Sequence, residues 1–127
     1  MRRTLITALA VLALAVAVCA TGAATVDRAV SRAEALLHQA SQCAAQNETS
    51  AAMRAARRMI DEWQAQSRFL EALTSHDALY EIQGAVGDAL LCLERGERLE
   101  CLRALNQAGI ALERLRAAES ARVMDLF

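Results

Sequence analysis

The chain has 127 residues, fourteen of them basic and fifteen acidic, and a formal net charge of −1. That balance excludes an electrostatically driven nucleic-acid binder, which needs a basic surplus to displace counterions from phosphates. Proline is absent, glycine is scarce, alanine makes up nearly a quarter of the residues, and the aromatics are only Trp63, Phe69, Tyr80 and Phe127. Such a composition excludes a strand-rich fold and predicts an all-α one.

The N-terminus carries the first signal. Met1-Arg2-Arg3 sets two positive charges ahead of an apolar run from Leu5 to Val18, broken only by Thr7. Small residues follow, from Cys19 to Ala24. This three-part layout predicts a secretory signal peptide, cleaved after Ala20 or Ala23. One helical domain over residues 24–127 then remains, in the periplasm or secreted. The alternatives are an uncleaved inner-membrane anchor, since a run extended to Val26 approaches the length of a spanning helix, and a lipoprotein acylated on Cys19. Val18 is a poor neighbour for lipidation. The loss of Arg2 and Arg3 leaves an acid excess of about three in the mature part. Every basic residue is arginine, a bias that fits GC-rich bacterial coding.

Four amphipathic helices follow in the 3-4 spacing of apolar residues. The first is expected over about 26–45, with Thr25 as N-cap and a stripe of Val26, Val30, Ala33, Leu37, Ala40 and Ala44, widened by Ala29, Leu36 and Cys43. A turn at 46–50 is expected where the apolar phase breaks at Asn47-Glu48-Thr49-Ser50. The second helix spans about 50–73 with Met53, Ala56, Ile60, Trp63, Ser67 and Leu70 inward. Thr74 is the expected N-cap of the third, which carries Leu79, Ile82, Val86, Ala89 and Leu93. Gly84 and Gly87 lie inside that helix, and a close helix contact is expected there to offset their cost. Gly96 suits the C′ position. The fourth helix spans about 97–122 on Cys101, Leu105, Ala108, Leu112 and Leu115. The apolar tail from Val123 to Phe127 is expected to cover one end of the core; the other reading is an exposed C-terminal ligand captured by strand addition. The pattern predicts a small four-helix up-down-up-down bundle, and two helical hairpins paired in a homodimer satisfy it equally.

Cleavage removes Cys19 and leaves Cys43, Cys92 and Cys101 in an oxidising space, where disulfides are expected. Cys92 and Cys101 flank Gly96 almost symmetrically and are the first choice of pair, although packed helix axes at about 8–10 Å exceed the Cα spacing that a disulfide wants. A pair with Cys43 is the alternative, because the end of the first helix and the 96 turn fall at the same end of the bundle.

The chemistry-bearing residues form no catalytic or cofactor signature. A Cys43/Cys92/Cys101 thiol or metal site is conceivable for soft metals, but no CxxC pair exists. His38 and His76 lack nucleophile or acid partners at a recognisable spacing. The acids follow helix spacing, with Arg57–Asp61, Arg58–Glu62 and Glu94–Arg98 as i,i+4 pairs. Arg54, Arg57 and Arg58 make a small basic cluster that could meet an acidic partner or anionic lipid. The resulting expectation is an exported, non-enzymatic bundle without cofactor, acting through a protein partner. The alternatives are a thiol- or metal-handling protein, and a bundle attached to the membrane through an uncleaved N-terminus.

Overall fold

The computed structural model describes the backbone of residues 1–73 and 76–126, and within these all side chains except those at 23, 69, 72, 73, 122, 123 and 126. Four helices account for it: α1 (Arg2–Ala45), α2 (Thr49–Leu73), α3 (His76–Glu94) and α4 (Arg98–Leu126). Each packs against its neighbours in the cyclic order α1, α2, α3, α4 and back to α1. The architecture is the expected up-down-up-down bundle.

The core is mostly aliphatic, with Trp63 the buried aromatic among the described residues. Every expected stripe residue of α3 and α4 is buried, and α1 buries its expected stripe from Val26 to Ala44. In α2 the expected Ala56, Trp63 and Leu70 are buried, but Met53 and Ile60 are half-buried at the edge, and Ala52, Ala55 and Met59 point inward beside them. Alanine explains the discrepancy. It accepts burial or exposure at little cost, so it leaves the phase of a helix to its larger neighbours, which here flank the seam.

α1 begins much earlier than the stripe requires. It runs without a break from Arg2 through Thr25 into the bundle. Thr25 is therefore no N-cap; its hydroxyl donates to the Thr21 carbonyl at 2.8 Å, as Thr21 does to Ala17 at 2.7 Å. Residues 1–21 are all exposed, and Leu5, Ile6, Leu9, Leu12 and Leu14 present more than half of their surface. At about 1.5 Å per residue, α1 is roughly 66 Å long, and only its second half belongs to the bundle. The expected cap at Thr74 lies outside the described residues. α4 extends past Arg122, with Met124 79% exposed, so this residue does not cover the core as expected of the tail.

The turns after α1 and α3 have the same construction. Glu48 N–H donates to Cys43 O at 2.8 Å and Asn47 N–H to Ala44 O at 3.2 Å; Glu97 donates to Cys92 O at 2.8 Å and Gly96 to Leu93 O at 3.2 Å. These are two Schellman motifs, with Asn47 (φ 62°) and Gly96 (φ 73°) in the left-handed C′ position. The shift of 49 residues between them also relates many core positions of the two hairpins. Each buried position of α3 has a buried counterpart in α1: Val30/Leu79, Ala33/Ile82, Leu37/Val86, Ala40/Ala89 and Ala44/Leu93. α2 and α4 match likewise through Ala52/Cys101, Ala55/Ala104, Ala56/Leu105, Met59/Ala108 and Trp63/Leu112. The bundle is thus a pseudo-two-fold pair of hairpins, with the axis along the core.

Among the described residues the expected close contact at Gly84 and Gly87 is absent. A Cβ built on either glycine meets nothing within 4 Å, and the tight approach occurs instead at Gly109, 3.3 Å from Leu37 Cδ2.

Candidate functional site

The three bundle cysteines lie where the topology places them, around the end of the bundle that holds both Schellman turns. Cys43 and Cys92 occupy the same turn position, each offering its carbonyl to the closing hydrogen bond. Arg98, which opens α4, ties this end together by donating to Asn47 Oδ1 at 3.2 Å and to the Ala45 carbonyl at 3.5 Å.

The thiols themselves do not pair. All four cysteines are free, and no two lie at bonding distance. The expected Cys92–Cys101 and Cys43 disulfides are therefore not supported by the structure. The physical reason lies in the helix faces. Cys101 is fully buried in the core, whereas Cys92 is half-buried and lines the outer groove between α3 and α4. Burial pushes the Cys101 thiol up to about 11, with Cys92 adding to the effect; burial followed by Glu97, Glu100 and Asp88 pushes Cys92 up as well. Such thiols are held protonated, while the thiolate is the nucleophile and metal ligand. Among the described residues no three His, Cys, Asp or Glu side chains converge on a position that could hold a metal ion. Cys19 is exposed within the apolar half of α1.

The basic cluster on α2 is largely engaged. Arg58 Nε lies 3.4 Å from Glu62, the expected i,i+4 pair. Arg57 reaches across to Glu94 on α3 at 3.8 Å instead of pairing along its own helix with Asp61. Arg54 is exposed. Glu62 is held mainly by Arg32, which donates from Nε at 3.0 Å and from Nη2 at 3.3 Å in a bidentate pair; the guanidinium keeps the Glu62 carboxyl below the usual carboxylate range.

His38 is exposed on α1 beside the groove to α4. His76 sits at the start of α3, with Nδ1 3.5 Å from Glu71 and its ring edge-on to Tyr80 at 4.6 Å.

The densest polar constellation was not anticipated from the sequence. Arg116 on α4 lies among three α1 residues: Asp27 at 3.4 Å, Ser31 at 2.9 Å and Glu34 at 3.0 Å. The i, i+4, i+7 spacing of those three places them on one helix face, and that spacing is the one signal the sequence holds for it. With each end of the guanidinium already engaged, Arg116 fastens α1 to α4; it is not a free anion receptor. Beside it opens a cleft of about 460 Å³ lined by Ala24, Val26, Asp27, Glu119 and Met124. Deeper in the core, the Trp63 indole N–H is buried and meets no acceptor among the described residues.

Compared with protein-family models, with curated proteins and with solved structures, the chain finds no match.

Proposed function

We propose that this chain is an exported, non-enzymatic helical bundle that acts by binding another protein in the periplasm or at the cell surface. One observation carries the reading. The hydrophobic core of the described residues begins at Val26, and in the most apolar stretch of α1 ahead of it only 6% of the residues are buried. Leaving so much apolar surface in water is costly, at about 25 cal/mol per Å². A segment of this kind, led by Arg2-Arg3, suits removal by signal peptidase. What then remains has, among the described residues, no fully buried polar or charged residue, and polar groups spent on fastening helices together, which suits recognition better than chemistry.

A second reading is favoured by a separate observation: the bundle retained on a membrane by α1. The helix continues through both expected cleavage positions, and Thr7, Thr21 and Thr25 donate their hydroxyls to carbonyls four residues back at 2.7–2.8 Å. Hydroxyls satisfied within their own helix are tolerated in a bilayer.

The experiment is cell fractionation of the C-terminally tagged chain, with intact mass of the product. A periplasmic or released protein lacking its first 20 or 23 residues supports the first reading. A full-length protein in the membrane fraction overturns it in favour of the second. A full-length soluble cytoplasmic protein overturns both.

A further inference from the structure

Trp63 is the only tryptophan of the chain and is 3% exposed. Its indole N–H is buried and meets no acceptor among the described residues. A buried donor left in that state is costly, and native folds satisfy nearly all such groups with protein or with water. The core supplies no acceptor side chain, since none of its described residues is polar or charged.

Trp63 also borders a second surface. Between α1 and α2 lies a cavity of about 10 Å³, with Ala29 and Ala33 on the α1 side and Trp63 on the α2 side. Three polar residues, Arg32, Glu62 and Gln66, share its wall. Arg32 reaches across to Glu62 there, at 3.0 and 3.3 Å. A space of that size takes about one water molecule and nothing larger. The second hairpin shows what these polar groups accompany. Where the first has Glu62, Trp63 and Gln66, the second has Ala111, Leu112 and Leu115 at the positions 49 residues on, all three buried. The indole and the polar side chains occur together in one hairpin and are absent together from the other.

We propose that this cavity is a binding site for one ordered water molecule, which accepts the Trp63 indole N–H and donates to the oxygens of Glu62 and Gln66. A held water needs two to four polar partners. The indole supplies a donor only, so its partner must accept; the Glu62 carboxylate and the Gln66 amide oxygen accept the two hydrogens that the water then has to place. Arg32 keeps the Glu62 carboxyl below the usual carboxylate range, so both of its oxygens are acceptors at neutral pH. The water extends the Arg32–Glu62 bridge inward and connects the rim of the α1/α2 seam to the largest side chain of the core.

The test is proton NMR of the 15N-labelled protein, in its processed form or in detergent if the apolar segment is retained. With one tryptophan, the indole N–H gives one resonance. It is expected to show a rotating-frame peak to water, opposite in sign to chemical exchange. Ala29→Val, which fills the cavity from the α1 side, abolishes that peak, whereas Ala35→Val on the exposed face of α1 leaves it. Gln66→Leu, at an exposed position that tolerates the change, removes one acceptor and weakens the peak. A wild-type indole without the peak overturns the proposal. So does a peak of unchanged intensity in Ala29→Val or, where that variant does not fold, in Gln66→Leu. The readout is independent of the fate of residues 1–20, so its failure leaves the export reading standing.

Discussion

The hairpin of α1 and α2 and the hairpin of α3 and α4 place their core residues at the same heights, yet fill them differently. The first offers Ala33, Ala44, Ala52 and Ala56; the second answers with Ile82, Leu93, Cys101 and Leu105. Where the first is large, at Met59 and Trp63, the second is smaller, at Ala108 and Leu112. Counterparts stand on diagonally opposite helices across the pseudo-two-fold axis. A small residue on one side leaves room for a large one on the other, which is how facing layers interdigitate to native density. The pairing teaches that one backbone plan can hold unlike residues at equivalent positions.

The largest effects test that compensation. Trp63→Ala should cost about 3–5 kcal/mol and Ile82→Ala about 2–5 kcal/mol by urea denaturation, since both side chains are buried. Ala33→Ile should cost about 1–3 kcal/mol through overpacking. If the two sites compensate across the axis, Ala33→Ile combined with Ile82→Ala costs clearly less than the two single changes added. Strict additivity would break the comparison.

How much of this was legible in the sequence depended on side-chain size. The seams of α3 and α4 could be read residue by residue because Leu79, Ile82, Val86, Leu105 and Leu112 occur at helical spacing with polar residues between them. In α2 the pattern places Ala56, Trp63 and Leu70 correctly but puts Met53 and Ile60 inward in place of Ala52 and Met59, because Ala52, Ala55 and Ala56 carry no directional signal. The 49-residue repeat was hidden for the same reason: Ala33/Ile82 and Ala56/Leu105 are equivalent in space and unlike in letter. The Arg116 cluster with Asp27, Ser31 and Glu34 joins the last helix to the first, so no local window contains it. The thiols show the opposite failure. Their common end of the bundle was readable, but their rotation about each helix axis was not, and rotation decides whether a disulfide forms.

The next effect belongs to the second hairpin alone. Ala52 has no titratable group, whereas its counterpart Cys101 has its thiol raised from an ordinary value of 9.0 to about 11. An acid whose folded value is raised loses its proton more readily in the unfolded chain. Stability is then full below pH 9 and falls as pH rises towards 11. The expected loss is roughly 1–2 kcal/mol between pH 8.5 and pH 11. Cys101→Ala should flatten that part of the pH profile, whatever it does to the baseline. An unchanged slope would mean that the buried thiol is not what makes the second hairpin alkali-sensitive.

Smaller still are the surface exchanges within helices. Gly84→Ala should raise the unfolding free energy of the isolated bundle by about 1 kcal/mol, because the new Cβ meets nothing within 4 Å. This makes α3 more like α1, which already has Ala35 there. A loss of stability would show that the backbone at Gly84 is committed to a contact outside the bundle.

The smallest difference lies in the two Schellman turns, where the hairpins agree in hydrogen bonding and differ by one residue. Both C′ positions require positive φ, 62° at Asn47 and 73° at Gly96. Glycine adopts that region without a Cβ penalty, and asparagine tolerates it better than other side chains. Asn47→Gly should therefore change stability by only a few tenths of a kcal/mol, because relief of strain is offset by greater freedom in the unfolded chain and by loss of the Oδ1 acceptor to Arg98. Gly96→Asn should be similarly mild, whereas Gly96→Ala should cost about 1 kcal/mol. Thermal unfolding of the three variants separates the cases. If Asn47→Gly proves far more costly than Gly96→Asn, the side chain of Asn47 matters more through its bond to Arg98 than through its own backbone, and the end of the bundle is held by that cross-link between α4 and the first turn.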